Sequence, residues 1–205
     1  MKATMIRMGI AGIAIGFLAG CAHQVPATPS QAAIKVPAHK APLAVGVYFS
    51  DAFLGFQHSE SKWGDGWNFT NLGQASASQF RDALEKNYVT VVKLNGKPSK
   101  VESDAKALDF MVAPEIQGYS FDIPLIKFQV YPATITYKIN VYQGDTLSAV
   151  PIVNGVGDTA GSPGFDFSTN PSNSASKAIE DGVNKAMAAI SGTPPVQAMV
   201  LTKTP

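Results

Sequence analysis

The chain has 205 residues, 16 basic and 15 acidic, for a formal net charge of +1. That balance offers nucleic acid no electrostatic footprint, and a single cysteine excludes an intramolecular disulfide. Charged residues make up 15%, below the usual level of about a quarter, while 18 glycines and 14 prolines forecast a turn-rich fold; the length suits one domain with a sizeable core.

Lys2 and Arg7 precede an apolar, uncharged run from Met8 to Leu18. The run is too short to cross a bilayer, which takes ~20 apolar residues. It ends in small residues, as a secretory signal does. Leu18-Ala19-Gly20-Cys21 follows directly. Together these features resemble the signal peptide and lipobox of bacterial lipoproteins. The resemblance implies removal of residues 1–20, with cleavage between Gly20 and Cys21, and acylation of the Cys21 thiol and then its amine. Two or three acyl chains on one residue would anchor the protein permanently, since a single chain binds only marginally. The partner implied first is therefore a membrane. In such lipoproteins an aspartate after the cysteine retains the protein in the inner membrane. Ala22 stands there, so the resemblance implies the outer membrane of a two-membrane cell, with the domain facing the periplasm. An ordinary signal with a cysteine nearby by chance is the competing reading.

Residues 22–42 are rich in Pro, Ala and polar side chains, including Pro26, Pro29, Pro37 and Pro42. With Cys21 they read as a lipidated flexible tether reaching about 25 Å, the alternative being a short arm packed on the domain. A single domain is expected over 43–192. It opens with a strand at 43–49, where Leu43, Val45, Val47 and Phe49 alternate. A long loop follows at 50–71. Leu72, Ser76, Phe80, Ala83 and Leu84 then fall on one face of a helix over 72–86. A strand at 88–94, a polar loop at 95–105 and a strand at 108–119 come next. The plainest alternation lies in a strand at 130–142, with Ala133, Ile135, Tyr137, Ile139 and Val141 inward and Thr134, Thr136, Lys138 and Asn140 toward water. Gly144-Asp145 turns the chain into a strand at 146–156, and residues 157–172 read as a loop. A helix over 173–190 presents a mostly small apolar face through Ala175, Ala178, Ile179, Gly182, Val183 and Ala186, and Gly192 and Pro194-Pro195 end it. Residues 193–205 read as a loose tail.

The expected fold class is therefore α+β, in the order β-α-β-β-β-β-α, with two helices on one face of a mixed or mostly antiparallel sheet. This layout resembles small Gram-negative envelope lipoproteins of the LptE and YajG type, a likeness of architecture that says little about function.

The sequence offers little for catalysis. His58 is the one histidine of the expected domain, near Ser50, Asp51, Ser59 and Glu60, and nothing marks a nucleophile. One histidine and no cysteine in the domain make a zinc site improbable. Asp158 and Asp166 lack the alternating acids of a calcium loop. Gly155-Val156-Gly157-Asp158-Thr159-Ala160 matches a dinucleotide fingerprint, but Gly161-Ser162-Pro163-Gly164 follows where a helix is required. No catalytic, cofactor or metal residue is assigned.

Two apolar segments stand out instead. Residues 48–69 hold Tyr48, Phe49, Phe53, Phe56, Trp63, Trp67 and Phe69. The turn Gly64-Asp65-Gly66 would pair Trp63 with Trp67, or with Asn68 if Asp65-Gly66 alone formed the turn. Phe121 to Tyr131 carries Ile123, Leu125, Ile126 and Phe128 between two strands. Either segment buries its rings and aliphatics, or it presents Trp63, Trp67, Phe69, Ile123, Leu125, Ile126 and Phe128 to a partner. The expected function is a lipid-anchored, non-enzymatic envelope module that binds or assembles a protein or glycolipid partner. The alternatives are a small-ligand carrier with an apolar cavity and an envelope hydrolase using residues near His58.

Overall fold

A computed structural model describes residues 22–29, 34–124, 130–159 and 169–203. These residues fold into an α+β domain with two sheets. The larger sheet is built from β2 (Ala41–Val47), β5 (Tyr88–Lys93), β6 (Phe110–Phe121), β7 (Ala133–Gln143), β8 (Thr146–Ala149) and β9 (Ile152–Gly157). Its order is β5-β2-β6-β7-β8, with β9 also paired to β7. β2 runs parallel to both β5 and β6, whereas β6, β7 and β8/β9 are antiparallel neighbours. The sheet is thus mixed, as expected. The expected strand at 146–156 is interrupted at Val150 and Pro151, where proline has no N–H for the ladder. The two halves still run along the same partner, β8 opposite Val141–Gln143 and β9 opposite Ala133–Lys138.

Two helices, α2 (Leu72–Asn87) and α4 (Thr169–Ser191), cover one face of this sheet and touch each other. Their stripes of Leu72, Phe80 and Leu84, and of Ile179, Val183 and Ile190, meet Val45, Val47, Val112, Ile135 and Tyr137 in one core. Tyr137 sits at its centre. Its hydroxyl lies 2.7 Å from Ser76 Oγ of α2, and its ring lies under Gly182 of α4. Burial raises its phenol pKa far above the ordinary value, so the group stays a neutral hydrogen-bonding hydroxyl. A smaller cluster of Leu94, Leu108 and Met111 covers the opposite face near α3 (Lys100–Ala105). This helix lies inside the expected loop 95–105; Ser99 caps it by accepting from Glu102 N–H. Asn140 also departs from expectation. It is buried on the nominally solvent face of β7, where its amide donates to Ala113 O and Glu115 Oε1.

The expected loose tail is helix α5 (Pro194–Lys203). Pro194 and Pro195 do not stop structure there; they sit in the first helical turn, where a missing N–H costs nothing. Val196 is fully buried, and Lys203 reaches Asp109 at 2.6 Å.

The largest departure is the second sheet, of order β1-β4-β3. It joins β1 (Ala22–Pro26), from the expected tether, to β3 (His58–Lys62) and β4 (Asp65–Thr70), both from the expected loop 50–71. The same loop region also contains α1 (Asp51–Leu54), capped by Ser50.

Candidate functional site

The second sheet brings the start of the described chain beside both tryptophans. β3 and β4 form an antiparallel hairpin in which Lys62 pairs with Asp65 and Glu60 with Trp67. The turn residues are Trp63 and Gly64, two positions earlier than the Asp65-Gly66 turn weighed from sequence. Both have positive φ, 57° and 89°, as a type I′ turn requires. Glycine adopts that conformation freely, whereas a tryptophan pays roughly 1–2 kcal/mol for it. The Trp63 ring is 64% exposed at the tip.

Trp67 and Phe69 are placed differently. Both belong to the core, Trp67 at 2% exposure, whereas the partner reading needs them exposed. Alternation along β4 sends them inward, against the end of β6: Trp67 lies 5.3 Å from the Phe121 ring, and Phe69 lies 4.8 Å from both Tyr119 and Phe121. His23 of β1 stacks on Trp67 at 4.2 Å. Ile123 is half-buried against the same core. Leu125, Ile126 and Phe128 lie outside the described residues, as do Gly20 and Cys21.

The N-terminal arm is stitched down from its first described residue. β1 runs parallel to β4, with Ala22 opposite Gly66 and Val25 opposite Phe69. Val25, Ala27 and Ile34 are buried. Ala27 N–H donates to Thr70 O at 3.0 Å, Thr28 N–H to Ser176 Oγ at 3.2 Å, and Lys35 N–H to Asn184 Oδ1 at 2.9 Å. The arm, not the flexible tether, describes these residues. The prolines argued for a tether, but Pro26 ends a strand paired along one side, a position that tolerates a missing N–H.

No Ser-His-Asp arrangement forms around His58 among the described residues. Ser50 Oγ accepts the α1 N-cap bond from Phe53 N–H. His58 instead points its Nε2 toward Glu60 Oε1, 3.4 Å away, close enough for an ion pair though not aligned as a hydrogen bond. Lys62 Nζ lies 3.2 Å from the other Glu60 oxygen. Tyr119 packs on the His58 ring at 5.3 Å. Burial first, and the Glu60 carboxylate second, raise the Tyr119 phenol pKa well above its usual value, so this phenol stays protonated at neutral pH.

Three surface depressions of about 460, 490 and 340 Å³ lie elsewhere. Charged side chains such as Arg81, Asp82 and Glu85, or Arg81, Glu85 and Lys93, line the two larger ones, and His58 lines none of the three. The depression of about 490 Å³ also carries Val47, Phe49, Leu54 and Val91, and the smallest carries Phe53, Phe56 and Ile116, so both mix apolar with polar lining. Among the described residues no cluster of His, Cys, Asp and Glu is arranged to hold a metal, and no helix is long and apolar enough to cross a membrane. The glycines of the dinucleotide-like stretch also have a structural role. A Cβ on Gly155 or Gly157 would meet the α4 backbone, at Ala178 O and Ser174 O.

No family model matches the chain, and no curated protein does. Among solved structures, one similar chain is a Chlamydia trachomatis protein described as hypothetical, 13% identical, with a TM-score of 0.47 over 75% of this chain and 98% of that one. Another, a DUF330-family protein from Xanthomonas campestris, is 12% identical with a TM-score of 0.45 over 89% and 98%. A candidate lipoprotein from Caulobacter crescentus is 10% identical with a TM-score of 0.39 over 78% and 93%. Function does not transfer at this level of similarity, and the residues must supply the argument.

Proposed function

We propose that this protein is a lipid-anchored component of a bacterial cell envelope that acts as a non-enzymatic binding or assembly module. The observation that carries the reading is the sequence Leu18-Ala19-Gly20-Cys21 behind a charged and then apolar leader, with Cys21 the sole cysteine of the chain. The exported domain forgoes disulfides because its core is large enough without them. Ser50 Oγ is engaged by Phe53 N–H as a helix cap rather than by His58, which favours binding over hydrolysis. The partner is a protein or a glycolipid, and Ala22 after the cysteine favours the outer membrane, with the domain in the periplasm.

Cys21→Ala is expected to abolish incorporation of radiolabelled palmitate and to leave the protein soluble or as uncleaved precursor. Labelling equal to that of the unmodified chain would refute the anchor. In membranes separated by density, the acylated protein is expected in the outer-membrane fraction; recovery of the bulk with the inner membrane would refute that localisation while leaving the anchor intact.

A further inference from the structure

We propose that the tip of the β3–β4 hairpin is a membrane-seating site, at which Trp63 enters the headgroup layer of the bilayer that holds the acyl chains of Cys21. This inference rests on the lipid-anchor reading and adds an orientation to it.

Position is the first argument. Cys21 is bonded to Ala22, and Ala22 lies opposite Gly66 in the parallel β1–β4 ladder. Gly66 is three residues from Trp63, on the order of 10 Å along the strand. No free tether intervenes, because Val25 and Ala27 are buried and the arm is bonded to Thr70 and Ser176. An anchor at Cys21 would therefore hold the hairpin tip within the thickness of the interfacial layer.

Chemistry is the second. An exposed indole at positive φ is costly in water twice over, in hydration and in backbone conformation. Asn-Gly would form the same turn without either cost. A tryptophan is suited to the boundary between headgroups and acyl chains, where its apolar ring is wetted on one edge only. The charges around the tip are of both signs: Lys62 lies 3.9 Å from Asp122 and 3.2 Å from Glu60, and Asp65 follows the turn. That mixture matches a zwitterionic surface such as phosphatidylethanolamine better than a strongly anionic one.

The two tryptophans make the test internally controlled, since Trp67 is buried. The full-length acylated protein is reconstituted in phosphatidylethanolamine/phosphatidylglycerol vesicles with and without brominated acyl chains. Acylation of the N-terminal peptide is measured by mass in the same samples. In the unmodified chain the Trp63 emission is expected to shift to the blue and to be quenched by the brominated lipid. Trp63→Asn, which keeps the hairpin by supplying the favoured Asn-Gly turn, is expected to lose the quenchable component and retain that of Trp67; near-ultraviolet circular dichroism confirms its fold. Acylated protein quenched no more than Trp63→Asn overturns this inference and leaves the anchor standing. Absence of acyl mass overturns both. Shielding of Trp63 from iodide that rises with protein concentration and ignores vesicles assigns the tip to a second copy of the chain and also overturns it.

Discussion

Trp67→Ala is expected to destabilise the domain by about 3 kcal/mol, near the lower end of the range for deleting a buried aromatic ring. The lower end applies because the Trp67 indole Nε1 is buried with no hydrogen-bond partner among the described residues. Its removal relieves a desolvation cost of roughly 1 kcal/mol that partly offsets the lost packing. What is lost is large nonetheless. Trp67 joins the three-stranded sheet to the end of β6 through Phe121, which itself stacks on Tyr131 at 5.9 Å. It also gives His23, and with it β1, an apolar surface to lie on. For a domain of this size the melting temperature should fall by about 6–12 °C. Trp67→Phe keeps a ring in the stack and removes the unpaired N–H, so it should cost less than half as much. Trp63→Ala, at the exposed tip, should change stability by about 0.5 kcal/mol or less. Thermal unfolding of the three variants side by side decides the matter: a Trp67→Ala midpoint within about 2 °C of the unmodified chain would mean that this ring is not the link between the sheets.

The elements legible in the sequence are those whose apolar period is local. α2 and β7 lie almost where Leu72–Leu84 and Ala133–Val141 place them, because each buries one continuous face against the same core, and β5 lies where Tyr88–Leu94 place it although Tyr88 is its one buried residue. The second sheet was hidden because two of its three strands carry no such period. β3 reads His58-Ser59-Glu60-Ser61-Lys62, polar on both faces, and becomes a strand only by pairing with β4. β1 pairs with a partner some forty residues away and is punctuated by proline, so composition pointed to a tether. The candidate surface was partly legible for the same reason. A cluster of rings around glycines announces a hairpin, but a shift of two residues in the turn decides which ring faces out. The turn at Trp63-Gly64 leaves Trp63 at the tip and sends Trp67 and Phe69 into the core. The choice of tryptophan over asparagine at a left-handed position breaks a local rule at the one place where the proposed membrane contact would need it.

Gly155→Ala should be among the most damaging single methyls in the described residues. An ideal Cβ there would lie 2.1 Å from Ala178 O and 2.4 Å from Gly182 N, both backbone atoms of α4. No side chain can rotate away to make room, so β9 and α4 must separate. α4 cannot shift alone, since it also packs on β7 and α2, with Gly182 held against the Tyr137 ring. The expected cost exceeds about 4 kcal/mol, a value reached only when packing fails outright and a large part of a domain's ~5–15 kcal/mol. Gly118 makes the matched control, because its Cβ would meet nothing within 4 Å; Gly118→Ala should be neutral or slightly stabilising in β6. The damage should also reach the other end of the molecule. Ser176 of α4 accepts from Thr28 N–H and Asn184 accepts from Lys35 N–H, so the helix that would be displaced is the one that holds the N-terminal arm. Limited proteolysis should therefore cut Gly155→Ala first within the arm, near Thr28, and heat should unfold it far below the unmodified chain. A Gly155→Ala protein with an intact arm and a melting temperature within a few degrees of the original would show that β9 and α4 can part without cost, and the close approach of these two backbones would no longer explain why glycines stand at 155 and 157.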